Sequence, residues 1–261
     1  MNLLPSSVTA GRQIVMARIF IAALGCAAIA WGLANLPMFW RQMTPENIAR
    51  HILLGESYKT DVLLRQLSVL ETAEGGAKCR PIALWSTATI RLRLMEEPSR
   101  NGVERPLEAQ QLQALDNSIR SSLACSPADP FLWLVLYWVE NTLNGTKSEY
   151  LNYLRMSYRL GPNEAWIIFK RSPVSFASFA ELPADLATEP IRELLVLIKN
   201  ELYQPAVEIF SGPAWQIRDT ILPYLASLPR RNREAFARVV RDKGLDVTIP
   251  GVDPPKSHPW H

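Results

Sequence analysis

The chain is 261 residues long, 48% hydrophobic and 20% charged, with a formal net charge of +3. That length holds one good-sized domain with an appendage or two small domains, and the composition excludes a wholly disordered chain. So small a net charge argues against a dedicated nucleic-acid binder, so any basic surface has to be argued locally.

Residues 1–45 carry Arg12, Arg18 and Arg41 and no acidic residue. Between Arg18 and Arg41 lie 22 residues, IFIAALGCAAIAWGLANLPMFW, in which Asn35 is the only strongly polar side chain. A helix of that length reaches ~33 Å, enough to cross a hydrocarbon core of about 30 Å. Phe39 and Trp40 fall where an interfacial aromatic belt belongs. Ala22, Ala23, Gly25, Ala27, Ala28 and Gly32 offer small faces for another transmembrane helix. The reading is a tail over residues 1–18 and a transmembrane helix over 19–40. A cleaved signal peptide would instead use Ile19 to Ile29, with Ala28-Ile29-Ala30 as its cleavage site, and a buried soluble helix is the third reading. The apolar stretch runs about ten residues past that cleavage site, which favours retention. Arg12 and Arg18 before the span, against Arg41 alone after it, put the N-terminus in the cytoplasm and the remaining chain outside. The short tail and single span suit a bacterial inner-membrane protein facing the periplasm.

Cys26 sits in the span, where a thiol behaves as a small apolar group. Cys79 and Cys125 fall in the exported part, where an oxidising compartment allows them to pair. Two separately buried thiols account for them equally well. Neither has C-x-x-C spacing, so zinc and thioredoxin-like readings find no support.

Residues 44–247 read as an all-α domain, because helical periodicity recurs and strand signals are scarce. Thr44 as N-cap and Pro45 at the first helical position predict a helix start, and Gly55 a stop. Helices follow over Tyr58–Ala73, about Arg80–Met95, and Pro106–Leu123, with a break at Gly75-Gly76 and a loop at residues 98–102. Ser126-Pro127-Ala128-Asp129-Pro130 opens a helix that is apolar all round through Val139, and such a helix must be buried. Asn144-Gly145-Thr146, formally a glycosylation sequon, reads as a turn. A helix marked by Tyr150, Leu151, Leu154 and Tyr158 closes at Gly161-Pro162, and Asn163 to Trp166 starts another. Beyond Arg171, prolines 173, 183, 190, 205 and 213 predict short pieces. Helices are expected at Ile191–Tyr203, at Trp215–Leu228 with a kink at Pro223, and at Arg231–Lys243. Residues 248–261 read as a loose tail.

Pro127 and Pro162 are 35 residues apart, and Trp133 and Trp166 are 33 apart, bracketing the 34-residue period of a helix–turn–helix repeat. With these residues in place, the stretch ending SYRLGPNEAW resembles the junction of a tetratricopeptide-type repeat, in which a proline ends the second helix and an aromatic opens the next repeat. The resemblance covers about 45 residues well. It departs from the family pattern at Leu136 and Tyr137, where a small residue belongs, and Trp166 follows Pro162 two residues sooner than Trp133 follows Pro127. A generic helical bundle is the competing reading.

The three histidines, His51, His258 and His261, have no partners that would make a metal site, and no G-x-S-x-G, Walker-type or G-x-G-x-x-G element occurs. No catalytic residue, cofactor or nucleic-acid partner is expected. Arg230, Arg238 and Arg241 share one side of a helix, readable as a face for an anionic lipid or polysaccharide or as an ordinary solvated surface. The resemblance implies a non-catalytic periplasmic scaffold or assembly factor that binds other envelope or inner-membrane proteins. The anchored arrangement looks like the small helical-repeat proteins that accompany bacterial machinery for polymerising or exporting surface polysaccharide. The alternatives are an accessory subunit held through its transmembrane helix and a periplasmic hydrolase or transferase.

Overall fold

The structure is a computed structural model, and it describes residues 7–73, 79–96 and 105–253. Among the described residues the chain is helical, with no strand. It divides into two units, Met1–Glu104 and Arg105–His261.

The first unit is built on one long helix, α1 (Ser7–Leu53), with α2 (Thr60–Ala73) and α3 (Pro81–Glu96). Within α1 the stretch Val15–Ala34 has a mean hydropathy of 1.8 and buries none of its residues, so it is long and apolar enough to span a membrane. Past it the pattern changes to a one-sided stripe, Ile48, Ala49 and Ile52, which packs with Leu63, Leu67 and Leu70 of α2 and with Ala83 and Ile90 of α3. Helix α1 ends in a Schellman motif. The Gly55 amide donates to Ile52 O and the Glu56 amide to His51 O, both at 3.0 Å, with Gly55 at φ 94°, a conformation glycine adopts without strain.

The start predicted at Thr44-Pro45 is absent, because the helix that contains the span continues through both residues to Leu53. Proline in a helix interior removes one backbone hydrogen bond and strains the preceding turn. Here Pro45 is buried and the segments on either side are helical, one of them packed, which holds the chain in register. The stop at Gly55 and the next two helices fall where periodicity put them. The break at Gly75-Gly76, the loop at 98–102, the side chains of Phe39 and Trp40, and the C-terminal histidines lie outside the described residues.

The second unit contains α4 (Arg105–Cys125), α5 (Pro130–Asn144), α6 (Leu151–Leu160), α7 (Ala165–Ala177), α8 (Ala184–Lys199), α9 (Tyr203–Ser211), α10 (Arg218–Leu225) and α11 (Arg230–Asp242). Short 3-10 turns precede α6, α8 and α10. Helix α5 packs on both α4 and α6, and α7 packs on α5, α8 and α9. The all-round apolar α5 is buried as expected, with Phe131, Leu132, Leu134, Val135, Leu136, Tyr137 and Val139 all in the interior. Its start is capped by Asp129, whose carboxylate accepts from the Phe131 amide at 2.9 Å and the Leu132 amide at 3.1 Å.

The prolines cut the C-terminal half less than expected. Pro173 and Pro190 lie inside α7 and α8, and Pro205 sits in the first turn of α9. What ends α8 is a left-handed turn at Glu201, φ 65°, so the helix expected over Ile191–Tyr203 is divided between α8 and α9. A non-glycine residue in that conformation costs about 1–2 kcal/mol. Asn232 of α11 offsets that cost: its buried amide donates to Ile198 O at 3.0 Å and Lys199 O at 3.2 Å, satisfying two terminal carbonyls of α8. Of the tail, residues 248–253 are described, and their first part is packed. Ile249 is 2% exposed in the core formed by α7 to α11, and the Arg233 guanidinium donates to Pro250 O.

Candidate functional site

The two proline–tryptophan phrases both sit at helix starts, Pro127 before α5 and Pro162 before α7, and the fold brings those starts together. Phe131 and Trp166 have ring centroids 5.9 Å apart. Gly161 lies so close to the first residue of α5 that a Cβ there would stand 2.9 Å from Pro130 Cγ, which only glycine tolerates without a shift. Ser157 Oγ donates to Pro130 O at 2.7 Å across the same seam. The two phrases differ in detail. Trp133 Nε1 donates to Pro127 O at 2.8 Å and its ring stacks on Tyr153, whereas Trp166 Nε1 donates to the Glu164 carboxylate at 2.7 Å and much of its ring faces outward.

At the centre of this seam is a pair that periodic reading passed over. Arg171 of α7 and Glu193 of α8 are both 0% exposed and form an ion pair, with Arg171 Nε 3.1 Å from Glu193 Oε1. The guanidinium donates further to Ser157 Oγ at 3.0 Å and Gly161 O at 2.8 Å, and lies over the Tyr158 ring at 4.2 Å. Tyr158 in turn donates to Ser175 Oγ at 2.9 Å. One side chain therefore ties the end of α6, its closing turn, α7 and α8 together. Burial pushes the Glu193 carboxyl above its usual range even though Arg171 pulls it down, and burial with the Glu193 charge raises the Tyr158 phenol. The signal for Arg171 is in its phase: Ile167, Ile168, Arg171, Ser172, Ser175 and Phe176 are one buried helical face.

A second polar cluster joins α4 to α5. Arg120 donates to Asp116 Oδ2 at 2.9 Å and to Glu140, and Asn144 donates to Glu140 Oε2 at 2.7 Å. Asp116 and Glu140 are both buried while Arg120 reaches the surface. Among the described residues no group of His, Cys, Asp and Glu is placed to hold a metal ion.

Arg230, Arg238 and Arg241 are all exposed on α11, whose other side buries Asn232, Phe236 and Val240, with the small buried Ala237 at the edge of the arginine row. Arg230 donates to Glu234 Oε1 at 2.7 Å, which raises its pKa. Arg238 and Arg241 have no ion-pair partner among the described residues. Cys26 is free and exposed on α1, while Cys79 and Cys125 are disulfide-bonded. No family model, curated protein or solved structure matches the chain.

Proposed function

We propose that this protein is a non-catalytic, membrane-anchored scaffold whose helical part binds other proteins of a cell-envelope complex. The observation that carries the reading is the continuity of α1. One helix contains an apolar stretch with no buried residue and, further on, a face that nucleates a packed cluster. A helix left bare over 20 residues in the folded chain needs lipid or another apolar helix around it. In this reading the span lies in a bacterial inner membrane with its N-terminus in the cytoplasm and the helical units in the periplasm. The layering of α5 and α7 supports a degenerate tetratricopeptide-like arrangement that offers a surface to a protein partner. Polymerisation or export of a surface polysaccharide is the process we assign to that complex. An oxidising compartment agrees with bonded Cys79 and Cys125.

A second reading, an accessory subunit held through the span, is favoured by Gly25 and Gly32, beside which nothing lies within 4 Å. Affinity purification of the full-length protein from native membranes in mild detergent separates the two. The comparison is a chain lacking residues 1–42 and carrying a cleavable export signal. A stoichiometric partner that survives the deletion supports the scaffold, and a partner lost with it moves recognition into the span. Absence of any partner in either form refutes both.

A further inference from the structure

We propose that the outer face of α11 rests on anionic phospholipid headgroups of the membrane that α1 spans. Arg230, Arg238 and Arg241 fall within about 80° of helix circumference at 100° per residue and along ~16 Å of axis, opposite the face packed into the core. They thus form a row along one side of the helix, with Glu234 lying within it. Within the row Glu234 neutralises Arg230, and beside it Arg231 meets Glu201 at 3.2 Å. Arg238 and Arg241 keep uncompensated charge among the described residues. The C-terminal end of the helix carries exposed Asp242 and Asp246, which limits the charge of the face but leaves the row itself cationic.

Lipid is the occupant these features favour over an acidic polysaccharide. A linear row suits a flat sheet of headgroups, each arginine near such a surface gaining about fivefold in occupancy. Sugar recognition by contrast needs a cleft with converging polar groups. The anchor also keeps the domain beside a bilayer permanently, so even weak attraction acts at high effective concentration. This inference rests on the anchored reading above.

The test uses the unaltered full-length protein in nanodiscs made of neutral phosphatidylcholine alone or with a third of phosphatidylglycerol. Phenylglyoxal modifies accessible arginines, and peptide mass spectrometry reads the rate at each. Arg159, exposed on α6, is the internal reference. Modification of Arg238 and Arg241 is expected to slow at least about threefold in anionic discs relative to Arg159, and to recover in 0.5 M NaCl, as a screened attraction requires. Equal rates in both discs, or equal slowing at Arg159, overturn the proposal. So does slowing caused only by adding soluble alginate to neutral discs, which would assign the face to polysaccharide. Before reconstitution, carbonate extraction of native membranes tests the anchor: protein released to the supernatant defeats the anchored reading and this inference together. Integral protein with unslowed arginines defeats this inference alone.

Discussion

The buried pair gives the most exposed prediction. Arg171 and Glu193 have no access to water, so removing one partner strands the other's charge in the interior, at a cost of about 3–5 kcal/mol. Arg171→Met also leaves Gly161 O without its side-chain donor, and Ser157 Oγ without a guanidinium contact. Domains of this size are stable by about 5–15 kcal/mol, so either single change removes a large share of the total. At roughly 2–4 °C per kcal/mol, the melting temperature of Arg171→Met or Glu193→Leu falls by about 6–20 °C. The double variant removes both charges and fills similar volume with apolar atoms, but it still loses the guanidinium's bonds to Ser157 Oγ and Gly161 O and its place over the Tyr158 ring. It strands no charge, so it should melt above either single variant and be destabilised by less than their sum. The assay is thermal unfolding of the full-length protein in detergent followed by tryptophan emission, since α1 would mask part of a helical signal. A double variant destabilised by the sum of the two single changes would refute the coupling, and with it the idea that this pair holds α6, α7 and α8 together.

Three further outcomes follow from single contacts. Asp129→Ala removes the cap that accepts from two amides of α5 and should cost about 1 kcal/mol, seen as a lower denaturant midpoint with an unchanged slope. Gly161→Ala places a Cβ 2.9 Å from Pro130 Cγ and should cost about 1–3 kcal/mol, whereas Gly145→Ala, with open space around it, should incur only the backbone strain of a φ of 72°. Non-reducing peptide mapping should find Cys79 and Cys125 each in a disulfide and Cys26 as a free thiol, and a Cys26-containing disulfide would overturn that assignment.

Helix existence was legible wherever an apolar face repeated without a conflicting signal, as in α2, α4 and α5. What the sequence misled about was punctuation. Thr44-Pro45 carries a helix-start signature, and Pro173 and Pro190 carry breaker signatures, yet all lie inside helices because tertiary packing outweighs the loss of one backbone bond. The reverse happened at Glu201, where no glycine announces the turn and the stabilising partner, Asn232, comes from 31 positions later. The polar network was hidden for a similar reason. Arg171 and Glu193 look like surface charges until their helical phase is compared with Ile168 and Leu197, and neither helix alone shows that the two would meet. The residues that set the proline and tryptophan spacing stand at two helix starts that touch through Phe131 and Trp166, and Trp133 and Trp166 use their indole nitrogens differently.

Continuity of α1 also has a mechanical consequence. From Asn35 to Leu53 the helix rises ~28 Å beyond the apolar stretch, so rotating the span rotates the face that carries Ile48, Ala49 and Ile52. A partner that grips both the span and the cluster of α1, α2 and α3 must therefore match a fixed helical phase. Two alanines inserted after Leu36 turn one surface by about 200° against the other, while four turn it by about 400°, a net 40°. If one partner reads both surfaces, the two-residue insertion should abolish co-purification and the four-residue insertion should restore most of it, although it displaces the cluster further. Equal capture by the two insertions would mean that span and cluster act independently, and the helix would then serve as tether only. Loss in both would instead implicate distance from the bilayer, which a seven-residue insertion, in phase but ~10 Å longer, would confirm by failing as well.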